Sequence, residues 1–211
     1  MTATPVDPAP VLSGQRIVPV VVIDDAAAAP DLAGALAAGG IGCAEITLRT
    51  PAGVDAIRAA ARVPGFLVGA GTVTTPEQVD AVVDAGAAFL VSPGLDEAVV
   101  ARATERGVPI LPGVATATEV QRAVALGLRV LKLFPANLVG GLDAVRAFAG
   151  PFPDVRFVPS GGVSAANAGD YIASPSVFAI SGSWMVPKDA IAAGDFETVR
   201  KLSAEAVAAV S

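Results

Sequence analysis

Eight short apolar runs, at 17–23, 43–48, 66–70, 88–91, 108–111, 130–134, 155–159 and 177–180, alternate with Ala-rich amphipathic stretches along the sequence. Each run is largely β-branched or aliphatic, and all but the first are bounded on at least one side by Gly, Pro or Ser, which is how strands buried on both faces of a parallel sheet read. The stretches between them, at 26–38, 52–62, 76–85, 96–106, 117–126, 142–148 and 165–172, predict helices, and a last helix is expected at 196–210. Thr75-Pro76-Glu77 and Ser164-Ala165 place a capping side chain before a first turn. Strand starts recur about every 20–26 residues, the pace of a repeated βα unit. A doubly wound open sheet uses the same alternation. Eight units favour closure into a single (β/α)8 TIM barrel, which leaves no sheet edge exposed.

The 211 residues fit one domain of the larger kind, and 53% hydrophobic against 16% charged residues is ample for a packed core. Residues 1–15 carry Pro5, Pro8 and Pro10 and have neither a basic nor an apolar signal segment, so they read as a flexible leader to a catalytic barrel at 16–211. No apolar run approaches the roughly 18 residues of a membrane span. No membrane association is expected, and a cytoplasmic location follows. The net charge of −6, with 14 Lys and Arg that nowhere cluster, argues against nucleic acid as a partner. The chain has no histidine, which excludes Ser-His-Asp triads and HExxH zinc sites. Its one cysteine, Cys43, excludes an intrachain disulfide and a multi-cysteine metal site. Acid–base work must fall to Glu, Asp, Lys, Tyr or water.

In a barrel enzyme the chemistry sits at the C-terminal ends of the strands, so polar residues there are the candidates. The second run reads Cys43-Ala44-Glu45-Ile46-Thr47-Leu48-Arg49. Alternation turns Ala44, Ile46 and Leu48 toward the helices and Cys43, Glu45, Thr47 and Arg49 toward the axis. Glu45 and Arg49 could be a structural ion pair in a barrel layer or part of a site. The sixth run reads Val130-Leu131-Lys132-Leu133-Phe134, and parity groups Lys132 with Val130 and Phe134. If that face points inward, desolvation disfavours the ammonium and leaves an amine able to attack a carbonyl. The alternative is a lysine that snorkels to solvent.

The seventh and eighth runs end in Ser160-Gly161-Gly162 and Ser181-Gly182-Ser183. Gly lets backbone N–H groups approach an anion, and barrels often bind phosphate in these two loops, although turns also use Gly for purely backbone reasons. Gly71-Thr72 and Ser92-Pro93-Gly94 complete the rim.

In order along the chain, ITLRT at 46–50, GAGTV at 69–73, SPG at 92–94, LKLFPA at 131–136, PSGG at 159–162 and GSWMVP at 182–187 resemble the 2-keto-3-deoxy-6-phosphogluconate (KDPG) and 4-hydroxy-2-oxoglutarate (KHG) aldolase family. The resemblance implies a class I lyase of the Entner–Doudoroff route, free of metal and cofactor, acting on a small keto-acid phosphate, and a homotrimer. Carried over residue by residue, it makes Lys132 the imine-forming amine and Glu45 the general acid/base. Arg49 and Thr72 would hold the keto-acid carboxylate, and Pro93 and Phe134 would wall the pocket. Ser160, Gly161, Gly162, Gly182 and Ser183 would take the phosphate. Ser160 stands where the family more often has threonine, and Asn137 where an acidic residue is common. The LRT element at 48–50 favours a gluconate-type over a galactonate-type substrate. Residue chemistry alone leaves two competitors: a thiazole- or indole-type synthase with the same anion site, and a non-catalytic phosphosugar sensor.

Overall fold

The computed structural model describes residues 4–211. The first three positions of the expected leader thus lie outside the described residues. A short helix, α1 (Pro8–Val11), opens the fold, with Pro8 in its first turn and Asp7 accepting a hydrogen bond from the Ala9 N–H. Leu12, directly after it, is fully buried. The expectation of a loosely held leader is therefore corrected from Asp7 onward. Burial of one leucine stabilises by about 1.5–3 kcal/mol and contributes to holding the segment in place.

Nine strand segments follow: β1 (Ile17–Val21), β2 (Cys43–Thr47), β3 (Leu67–Gly71), β4 (Leu90–Val91), β5 (Ile110–Leu111), β6 (Gly113–Val114), β7 (Val130–Leu133), β8 (Arg156–Pro159) and β9 (Ile180–Gly182). All pairs are parallel, in the orders β5-β4-β3-β2-β1-β9 and β6-β7-β8. The fifth expected run, 108–111, holds only β5; β6 lies beyond it, across Pro112, which has no N–H and interrupts the ladder. Its carbonyl still accepts from the Lys132 N–H at 2.9 Å. Isolated bridges, Phe157 to Val177 and Ser160 to Ser181, lie between the strands of the second sheet and the last strand of the first. The result is an α/β fold whose parallel strands form a curled sheet.

The helices are α2 (Ala29–Ala38), α3 (Gly53–Ala60), α4 (Pro76–Asp84), α5 (Glu97–Glu105), α6 (Ala117–Ala125), α7 (Gly141–Ala149), α8 (Ala168–Ile172), α9 (Lys188–Ala192) and α10 (Phe196–Ala208). Thr75 caps α4 as its sequence predicts, accepting from the Gln78 N–H. Ser164 does not cap α8, which begins later, after Asn167. No helix among the described residues is long and apolar enough to cross a membrane.

The two faces of the sheet carry different clusters. Ala44, Ile46, Leu131 and Leu133 pack outward in the large core shared with the helices. Val18, Cys43, Phe89, Val91, Leu111, Val130, Val158 and Ala179 meet Leu12 in a second, interior cluster. The alternation in β2 and β7 thus has the parity that the sequence predicts. An interior glycine lets two backbone segments approach closely here. A Cβ on Gly113, the register partner of Lys132, would collide with the Pro93 carbonyl, which is backbone and cannot turn aside. Gly113→Ala is expected to destabilise by about 1–3 kcal/mol. Thermal unfolding reads this as a fall of roughly 2–4 °C per kcal/mol. An unchanged Tm would show that the 92–94 turn gives way.

Candidate active site

Lys132 and Glu45 are 87 residues apart in sequence, yet Lys132 Nζ donates to Glu45 Oε1 at 3.1 Å, with both side chains buried. The register explains how they reach each other. Glu45 lies between Val20 on β1 and Gly69 on β3, and Lys132 lies between Gly113 on β6 and Val158 on β8. A Cβ on Gly71 would stand 3.1 Å from Glu45 Oε2, so this glycine too is spaced around the carboxylate. Glu45 Oε2 has no hydrogen-bond partner among the described residues. A buried, charged oxygen left open is costly unless something is to be bound there.

The Lys132 ammonium also sits over the Phe134 ring, 5.3 Å from its centroid. Cys43, one inward position down β2 from Glu45, is fully buried and donates weakly to the Ile17 carbonyl. Burial first, and the Glu45 carboxylate second, push its thiol up to about 12. At pH 8 it stays protonated, and only the thiolate reacts. A thiol reagent such as dithionitrobenzoate is therefore expected to leave the folded protein untouched and to titrate one thiol in guanidinium. Fast native reaction would show that the interior opens.

The rim carries the remaining candidates. Arg49 lies beyond the end of β2 and is exposed. It does not pair with Glu45, so the structural ion pair weighed from the sequence does not form. Its Nε donates instead to Thr72 Oγ1 at 3.3 Å. Thr72 has φ +61, a left-handed backbone that a β-branched residue adopts at a cost of about 1–3 kcal/mol. Strain of this kind is held where the surroundings over-determine it. Here Leu48 N–H donates to Gly71 O and Val73 N–H to Val91 O on either side. The result turns the Thr72 hydroxyl and the Arg49 guanidinium toward each other. Pro93 is exposed and its turn packs on Gly113.

Opposite them, the two glycine turns lie side by side, joined by the Ser160–Ser181 bridge. Gly161 and Gly162 both have left-handed backbones, φ +91 and +76. Gly182 lies under the Trp184 ring, in space a Cβ would need. Among the described residues, the N–H groups of Gly161, Gly162 and Val163, and those of Ser183 and Trp184, donate no backbone hydrogen bond. Successive free N–H groups in such turns form an anion-binding concavity. The structure therefore brings Ser160, Gly161, Gly162, Gly182 and Ser183 together.

One residue of this region escapes the sequence reading. Asn167 ties the first turn, accepting from Ser164 N–H at 2.9 Å and donating to Gly162 O at 3.0 Å. Nothing in its neighbourhood in sequence marks it. Ser181 Oγ and Trp184 Nε1 are buried without partners among the described residues.

Known proteins resemble the chain over nearly its whole length. A family model described as "KDPG and KHG aldolase" matches residues 9–202. The KHG/KDPG aldolase of Escherichia coli K12 is 48% identical over 198 residues, 93% of each chain. The 2-keto-3-deoxy-6-phosphogluconate aldolase of Zymomonas mobilis, solved with 3-phosphoglycerate, superposes with a TM-score of 0.89 at 41% identity, covering 95% of this chain and 94% of that one. The KDPG aldolase of Legionella pneumophila, with pyruvate captured as a covalent carbinolamine intermediate, gives 0.90 at 38% identity over 94% and 97%. With its buried amine, its facing carboxylate and this degree of likeness over nearly the whole length, the chain belongs to the KDPG and KHG aldolase family.

Proposed function

We propose that the chain is a class I aldolase that reversibly cleaves 2-dehydro-3-deoxy-6-phosphogluconate to pyruvate and D-glyceraldehyde 3-phosphate, and 4-hydroxy-2-oxoglutarate to pyruvate and glyoxylate. The observation that carries this is the buried Lys132–Glu45 contact at 3.1 Å. Lys132 gives its proton to Glu45 and attacks the C2 carbonyl of the keto acid. Glu45 returns that proton to the carbinolamine hydroxyl, which leaves as water and gives a protonated iminium, with Glu45 again a carboxylate. Glu45 takes the C4 hydroxyl proton, the C3–C4 bond breaks, and its electron pair moves into the iminium as an enamine. The aldehyde leaves with its phosphate. A proton returned by Glu45 to C3 restores the iminium, and water releases pyruvate and the free amine. One carboxylate serves both directions, which suits a chain without histidine. Arg49 and Thr72 hold the keto-acid carboxylate, Arg49 with a two-pronged grip. Pro93 and Phe134 wall the pocket. The N–H groups around Ser160, Gly161, Gly162, Gly182 and Ser183 seat the phosphate.

A closed barrel of eight βα units over 16–211 is part of the same reading. It is supported by the single residue between β5 and β6, by the two isolated bridges, and by the shared interior cluster. A homotrimer in the cytoplasm, on the Entner–Doudoroff route, rests on the family resemblance, and sedimentation would test the trimer. The decisive experiment combines pyruvate with borohydride, followed by peptide mass mapping. One reduced pyruvate on Lys132, with both keto acids cleaved in a lactate dehydrogenase-coupled assay, is the expected result. No adduct would point to a synthase or a sensor on the same fold.

A further inference from the structure

Along an extended strand, the residue two places on points to the same side of the sheet. Two places beyond Val18, Cys43, Val130, Val158 and Ala179 of the interior cluster stand Val20, Glu45, Lys132, Ser160 and Ser181. Ser181 therefore belongs to the interior layer that holds the amine and the carboxylate. Its neighbours on β9 agree with this parity. Ile180 packs in the outer core, and a Cβ on Gly182 would run into the Trp184 ring, which packs on that same core. Ser181 is the bridge partner of Ser160 and the register partner of Val18. It is 2% exposed, and its Oγ has no hydrogen-bond partner among the described residues. Glu45 Oε2 is the one other buried side-chain oxygen so left among those residues. A buried hydroxyl without a partner costs free energy until something bonds it.

On the aldolase reading, C2 of the substrate is joined to Lys132, the C4 hydroxyl meets Glu45, and the phosphate lies on the turns that follow Ser160 and Ser181. The one carbon between C4 and the phosphate-bearing end, C5, then crosses the side of the layer where β8 and β9 adjoin. That side carries the Ser160–Ser181 bridge. We propose that Ser181 Oγ hydrogen-bonds the C5 hydroxyl of 2-dehydro-3-deoxy-6-phosphogluconate. After cleavage this hydroxyl is the 2-hydroxyl of glyceraldehyde 3-phosphate, so Ser181 reads the aldehyde half. An aldehyde that lacks the group leaves the buried serine unpaired, which is how a site tells a hydroxylated substrate from its deoxy analogue. The inference rests on the aldolase reading and adds a specificity residue to it.

The test runs the reaction in the direction of synthesis, from pyruvate and two aldehydes: D-glyceraldehyde 3-phosphate and its analogue without the 2-hydroxyl, 3-oxopropyl phosphate. The quantity read is the ratio of their kcat/KM values, in the parent and in Ser181→Ala. The ratio is expected to fall about fivefold in the variant, the scale of one neutral hydrogen bond. The whole change should lie in the hydroxylated aldehyde, with the analogue used as well as before. A ratio within twofold of the parent overturns the proposal. A parallel loss on both aldehydes also overturns it, because that is the mark of a packing role. Alanine removes a hydroxyl that is unpaired in the free protein, so Tm should not fall. A fall of several degrees would mean that the hydroxyl is already bonded within the fold, and overturns the proposal too. Borohydride trapping of pyruvate on the parent separates the two readings. If the parent is not trapped, the aldolase reading falls and takes this one with it. If the parent is trapped and turns over while the ratio stays, Ser181 alone loses its role.

Discussion

Lys132→Ala is expected to leave no pyruvate adduct after borohydride and to reduce cleavage of both keto acids by about 10⁶-fold, the scale of nucleophile removal in a covalent enzyme. The size follows from the route: without an imine there is no electron sink at C2, and C3–C4 cleavage has nowhere to send its electron pair. The alanine variant also strands Glu45, whose side chain is 1% exposed, without its partner. Breaking a buried pair in this way costs about 3–5 kcal/mol, so lost activity could reflect a lost fold. Lys132→Arg removes that ambiguity. A guanidinium can still pair with the carboxylate, but it remains protonated and forms no imine. A folded arginine variant with no adduct and no turnover assigns the defect to chemistry. Retained turnover in either variant would sink the Schiff-base route and favour a synthase.

The two central residues were legible for a simple reason. A charge in the middle of an apolar parallel strand has no solvent-facing side to turn to, so Glu45 and Lys132 stood out against their runs. The period of two then placed both on the interior. That they meet each other was not legible. Glu45 has Arg49 close by in sequence, and local spacing favours that pair. Strand register sets Lys132 opposite instead, while β2 ends at Thr47 and carries Arg49 out to the rim. The glycine turns were legible as turns, and their neighbourhood follows only from the Ser160–Ser181 bridge.

Other parts were hidden by tertiary packing. Leu12 lies in a proline-rich stretch whose pattern is that of a free leader, and only the interior cluster explains its burial. The last strand was expected at 177–180, an apolar run bounded by Ser176 and Ser181. In the structure Ser181 and Gly182 pair with Val18 and Pro19, so the strand sits later. The five residues of α9 are too few to show a helical period. Asn167 acts through two hydrogen bonds to its own turn, and a turn asparagine has the same composition whether or not it positions a site.

Glu45→Gln is expected to lower kcat for cleavage by about 10²–10⁴-fold, the usual span for a lost general acid–base. Glutamine keeps the length of the side chain and can still accept from Lys132 Nζ through its amide oxygen, so the fold and the amine's position are retained. It cannot take the C4 hydroxyl proton, nor return one to C3. The second of these acts can be followed without an aldehyde. In heavy water, the enamine formed from pyruvate alone exchanges the methyl protons for deuterium, and proton NMR reads the loss of signal. Exchange should slow by the same order as cleavage, while a borohydride-trapped adduct still accumulates at longer times, because the amine is intact. A variant in which only KM rises would make Glu45 a substrate-holding residue. Undiminished exchange beside slow cleavage would place the C3 proton on another group, leaving Glu45 with the hydroxyl proton alone. The open Glu45 Oε2, facing Gly71 with no partner of its own among the described residues, is the atom from which both transfers would start.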